Sequence, residues 1–133
     1  MRGLPVLALA LTALCGAAAP AADRVKEDPL ARALAGRVPG KPVSCIDPQF
    51  TDGPQIIDDH TLIYNRVGRR VWRNDLPDAC PALRPDVTII VEMYGGQLCE
   101  NDRFRVLEPG SRIPSASCRF GRFTPYDKPQ GAK

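Results

Sequence analysis

From Val43 onward, apolar residues recur in short runs parted by Gly, Pro, Asp and Asn, which is the spacing of a chain built from β-strands and turns. Residues 43–46 open the series, and a loop rich in Pro, Asp and Gly follows through Pro54. Residues 55–58 and 61–67 come next; strand alternation sets Leu62 and Tyr64 on one face of the second run and Ile63 and Val67 on the other. Residues 69–74 lie just beyond Gly68, which predicts a hairpin. Residues 87–94 are the clearest strand in the chain, with Val87, Ile89, Val91 and Met93 on a side that should face the core. Gly95-Gly96 can take the positive φ angles of a tight hairpin returning through Gln97-Leu98-Cys99. Residues 103–108 alternate Phe104 and Val106 with basic neighbours, residues 118–123 make the last strand, and residues 126–133 read as a disordered tail. With no internal repeat and no sustained helical period, residues 43–125 predict a mainly β domain, barrel-like or a sandwich, of about six or seven strands.

Two upstream segments read differently. Asp28-Pro29 leads into Leu30-Ala31-Arg32-Ala33-Leu34-Ala35-Gly36, a short helix with Asp28 as N-cap, Pro29 in the first turn and Gly36 near the end. Leu30 and Leu34 share a face that could dock on the sheet, or the segment is a loosely held arm; with residues 37–42 as linker, residues 23–42 form a unit of helix plus connection. Residues 1–22 place Arg2 before an apolar run over 4–14 and a tract of small residues, Gly16 to Ala22, which is the order of a secretory signal peptide. The apolar run is much shorter than the ~20 residues of a membrane-spanning helix, so a periplasmic or secreted protein without a transmembrane anchor is expected. Cys15 raises lipoprotein attachment as a competing fate. Leu14, directly before it, is too large for that processing, which favours plain cleavage within residues 17–22.

Composition sharpens this picture. Loss of residues 1–22 removes one charge, Arg2, from 18 basic and 15 acidic residues, leaving a nearly balanced chain. That balance argues against a nucleic-acid partner, for which a strongly basic, clustered surface is expected. Four cysteines remain, Cys45, Cys80, Cys99 and Cys118, an even number that predicts two disulfides in an oxidising compartment. Their wide spacing fits a zinc site poorly, since structural zinc ligands come in close pairs. Three pairings are open; if the first and last strands meet, Cys45 joins Cys118 and Cys80 joins Cys99.

Several short motifs, Cys45-Ile46, Ile57-Asp58-Asp59-His60-Thr61-Leu62-Ile63-Tyr64, Arg73-Asn74-Asp75-Leu76, Cys80-Pro81-Ala82-Leu83, Gly96-Gln97-Leu98-Cys99 and Asp102, together resemble a family of small exported proteobacterial proteins designated only as a domain of unknown function. The resemblance covers residues 43–125. It implies export and a shared fold, and no activity, ligand or catalytic residue.

Candidate chemistry is sparse. His60, the single histidine, stands beside Asp58 and Asp59, where it could serve as a general base or one ligand of a metal site, or where the two aspartates simply shape a turn. No serine lies in a Gly-x-Ser-x-Gly elbow and Gly95-Gly96 lacks the sequel of a phosphate loop, so no catalytic residue, metal ligand or cofactor is assigned. The distinctive feature is the basic hairpin: Arg70, Trp72 and Asn74 on one face, Arg69, Val71 and Arg73 on the other, with Arg66 nearby. Arginine beside exposed tryptophan can hold an anionic group or a protein partner; a tryptophan packed in the core, with the arginines solvating the strand, is the alternative. The expectation is a non-catalytic envelope module that binds a protein or an anionic glycan or lipid headgroup through Arg66, Arg70, Trp72 and Arg73. Inhibition of a secreted hydrolase, and a small hydrolytic or metal-dependent enzyme centred on His60, are the alternatives.

Overall fold

The computed structural model describes residues 28–65 and 70–131; the leader read over 1–22 and the hairpin tip with Arg66 lie outside the described residues. Helix α1 spans Pro29–Leu34, and the strands are β1 (Val38–Pro39), β2 (Cys45–Ile46), β3 (Gln55–Ile56), β4 (Thr61–Asn65), β5 (Arg70–Asp75), β6 (Thr88–Glu92), β7 (Leu98–Cys99), β8 (Arg103–Leu107), β9 (Cys118–Arg119) and β10 (Phe123–Asp127). A single 3-10 turn, Pro48–Phe50, follows β2. The fold is mainly β. Its strands form a five-stranded sheet ordered β1-β10-β5-β4-β3, a β2-β7 ladder and a three-stranded sheet β6-β8-β9, which share one core without closing into a barrel.

Asp28 caps α1 by accepting from the Leu30 N–H at 3.0 Å. Leu30, Ala33 and Leu34 make its half-buried side. Pro29, Arg32 and Ala33 line a hollow together with Gln55 of β3, whose cross-strand neighbour Ile63 is fully buried.

The C-terminal boundary moves. Residues expected in a linker and a disordered tail pair with each other, Val38 with Asp127 and Pro39 with Tyr126, and β10 lies between β1 and the long β5. Two features explain the difference. The Pro125 carbonyl accepts from the Gly40 N–H, so the donor that proline lacks would have faced the briefly paired β1 side and no β5 bond is lost. Asp127 is held by a forked pair of hydrogen bonds from Arg70, at 2.8 and 2.7 Å, a contact far apart in sequence.

The core is aromatic. Phe104, Phe120 and Phe123 are fully buried, with ring centroids 4.6 Å apart for Phe104–Phe120 and 6.1 Å for Phe120–Phe123, and Tyr64 meets the last two edge-on. Asn74, also fully buried, donates to the Gly121 carbonyl at 2.8 Å and accepts from the Gly121 N–H at 3.0 Å, pairing with the backbone as a neighbouring strand would. A side chain at position 121 would run into the Asp75 carbonyl, which is why glycine stands there.

Both disulfides are present, with the pairing reversed from the expectation: Cys45 joins Cys99 and Cys80 joins Cys118. The premise that the chain's first and last strands meet holds, but they meet through β1–β10 and a Val43–Phe123 bridge, beyond Cys118. Cys45 instead lies directly opposite Cys99 in the β2-β7 ladder, with Cα atoms 4.0 Å apart. A second correction concerns β6. Val87, Ile89 and Val91 do face the core but stay half-buried, and Met93 is 46% exposed, because β6 is an edge strand.

Candidate functional site

The described arm of the basic hairpin, β5, is internally engaged. Trp72 is 9% exposed and belongs to the core, and Asn74 is committed to Gly121, so the face that carries them turns inward, as in the alternative of a core-packed tryptophan. Arg70 stacks over the Trp72 ring at 5.2 Å while gripping Asp127; that hydrogen bond raises its already high pKa against a small opposing cost of burial. Arg73 pairs with Asp75 at 2.7 Å. The later arginines also face carboxylates, Arg105 towards Glu92, Arg119 towards Asp78 and Arg122 towards Glu100. An anionic ligand would have to displace an existing carboxylate at Arg70 or Arg73.

Asp58, Asp59 and His60 lie close together and exposed. Their bonds are those of a turn: Asp58 accepts from the His60 N–H at 2.8 Å, and Asp59 meets the imidazole Nδ1 at 2.9 Å. The backbone carbonyls of Asp59 and His60 accept from Cys80 and Leu76, which ties the β3–β4 turn to the segment leaving β5.

A different place stands out. Where β6 fails to meet the rest of the fold, a cavity of about 180 Å³ opens between the inward side chains of Ile89 and Val91, Leu98 of β7, Tyr64 of β4 and the loop from Pro48 to Pro54. Its lining is mostly apolar, and its outer lip carries Met93 and Asp52. An adjoining hollow of about 150 Å³ lies across the same loop, between Phe50, Asp47 and Trp72. The sequence shapes this loop directly. Asp47 accepts from the Gln49 N–H at 2.9 Å, Pro48 starts the 3-10 turn, and the Asp52 N–H donates to the Asn65 carbonyl at 2.7 Å, fastening the loop to the end of β4.

Tyr64 gives the cavity its one chemical demand. The residue is 4% exposed, and its hydroxyl has no hydrogen-bond partner. Burial raises its pKa above the ordinary tyrosine value by disfavouring the phenolate. The other buried side-chain oxygen without a hydrogen bond, on Glu100, at least has the Arg122 guanidinium 3.3 Å away. Leaving a buried hydroxyl unsatisfied costs about 1–3 kcal/mol. Sequence reading placed Tyr64 on a strand face but gave no sign of this, because both the cavity and the missing partner arise from segments distant in sequence. No family model, curated protein or solved structure matches this chain.

Proposed function

We propose that the protein is an exported, non-catalytic binding module that receives an apolar group with a hydrogen-bonding tip in the cleft beside Tyr64. The observation that carries this reading is a mostly apolar cavity lined in part by Tyr64, a residue whose buried hydroxyl has no hydrogen-bond partner among the described residues. The volume is adequate, since an apolar cavity of roughly 150 Å³ holds benzene. Export is supported by the two disulfides, which persist in oxidising compartments, and by the leader-like order of residues 1–22. The ion pairs of Arg70 and Arg73 shift the contact surface from the basic hairpin to the cleft.

The test is an amide NMR titration of the disulfide-intact protein, purified after export, with p-cresol and with toluene. Shifts at Tyr64, Ile89, Val91 and Leu98 are expected with both, and tighter binding of p-cresol should disappear in Tyr64→Phe. Absence of shifts at these positions with either probe would remove the cleft as a binding site.

A further inference from the structure

The same seam exposes backbone as well as side chains. Val106 of β8 directs its backbone away from β6: its N–H donates to Ser115 Oγ at 3.0 Å and its carbonyl accepts from the Ser115 N–H at 2.8 Å. In an antiparallel ladder, a residue whose N–H and C=O point to one neighbour offers nothing to the other, and its cross-strand partner likewise points away. Val106 lies opposite Ile89, and Phe104 lies opposite Val91. Ile89 and Val91 therefore turn both N–H and C=O to the open edge, while Thr88, Ile90 and Glu92 bond to β8. Among the described residues no backbone group meets Ile89 or Val91 there.

Such an edge is a template for another strand. It is five residues long, without proline, lysine or bulge; Ile90 within it is 40% exposed, and Met93 and Tyr94 just beyond it are 46% and 80% exposed. The two residues that present backbone outward are also the two whose side chains line the cleft. An added antiparallel strand would hydrogen-bond through the same alternate residues that face its side chains into the cavity. The facing loop, residues 47–54, carries two exposed acids and no basic residue; Asp52 lines the cleft itself and Asp47 the adjoining hollow.

We propose that the occupant of the cleft is an extended segment of a partner protein that adds as a strand to the β6 edge, sets one large side chain against Tyr64, and places a basic residue against Asp52. This rests on the cleft reading above and specifies its ligand. Main-chain bonds supply affinity in this mode, and the alternate side chains supply selectivity.

The experiment uses the exported, disulfide-intact protein and the capped heptapeptide Thr-Lys-Thr-Trp-Thr-Lys-Thr, in which Trp and both Lys share one face. Binding should slow amide exchange of Ile89 and Val91 by about tenfold or more, with Thr88, Ile90 and Glu92 already protected in the free protein. N-methylation of the Trp and Lys amides should weaken binding by about tenfold or more, whereas N-methylation of the Thr amides should leave it within about threefold. Glu in place of both Lys, or Asp52→Asn in the protein, should also weaken it. Equal binding of the Glu peptide or of the Trp- and Lys-methylated peptide would overturn the proposal. Protection of the same two amides in the protein alone, rising with its concentration, would assign the edge to a second copy and overturn it as well. If the peptide leaves Ile89 and Val91 unprotected while p-cresol still binds, the strand inference fails and the cleft reading survives; if p-cresol fails too, both fall.

Discussion

Strands β5 and β6 exchange the places their sequences suggest. Arg70-Val71-Trp72-Arg73-Asn74-Asp75 reads as a polar, basic hairpin arm, yet it lies inside the five-stranded sheet, paired on both edges, with Val71, Trp72 and Asn74 buried. Thr88-Ile89-Ile90-Val91-Glu92 reads as the centre of a core, yet among the described residues it has a neighbour on one edge only, and none of its residues is fully buried. Burial follows the number of neighbours a strand acquires more than its own hydrophobicity. A polar strand tolerates the interior when each polar group finds a partner, as Arg70 does in Asp127 and Asn74 in Gly121. An apolar strand left at an edge becomes a surface that can bind.

This contrast can be tested by stability. The largest effect should come from replacing Cys80 and Cys118 together by Ala: the bond closes a separation of 38 residues, and its loss should cost about 4 kcal/mol, read as a drop in urea midpoint. Phe120→Ala, at the centre of the aromatic cluster, should cost about 4 kcal/mol in the same measurement. Asn74→Ala should cost about 2 kcal/mol, because both backbone groups of Gly121 lose their partner inside the protein. Val91→Ala on the open strand should cost only about 1 kcal/mol; a loss as large as that for Phe120 would show β6 to be sealed in solution.

The smallest effect has the opposite sign. Tyr64→Phe removes a buried hydroxyl that bonds to nothing and should leave stability unchanged or raise it by up to about 1 kcal/mol. It should also change the alkaline limb. Burial raises the Tyr64 pKa in the folded protein, whereas the unfolded chain ionises at about 10. The folded state is thus fully favoured below that pH and loses stability as pH rises beyond it. Urea midpoints compared at about pH 9 and pH 11 should fall less in Tyr64→Phe than in the parent protein.

Short-range signals carried far. The turn residues and two-residue periodicity located most strands, the helix start at Asp28-Pro29 was legible, and four cysteines announced two disulfides. What failed depended on contacts between distant segments. The tail looked disordered because nothing near Tyr126 or Asp127 in sequence reveals that Val38, Val71 and Arg70 await them. Cys45 looked closest to Cys118 because strand order cannot be read from strand pattern, and only the β2-β7 ladder places it opposite Cys99.

By itself, the sequence determined what each stretch of chain can be: strand or turn, apolar or charged, crosslinked or free, since propensity and alternation act over a few residues. The tertiary structure alone decided which strands lie side by side, and therefore that Trp72 is enclosed, that β6 keeps an open edge, and that the Tyr64 hydroxyl faces no partner. Those outcomes are set by loop closure and packing across the whole domain, where one missing neighbour leaves an apolar strand at an edge.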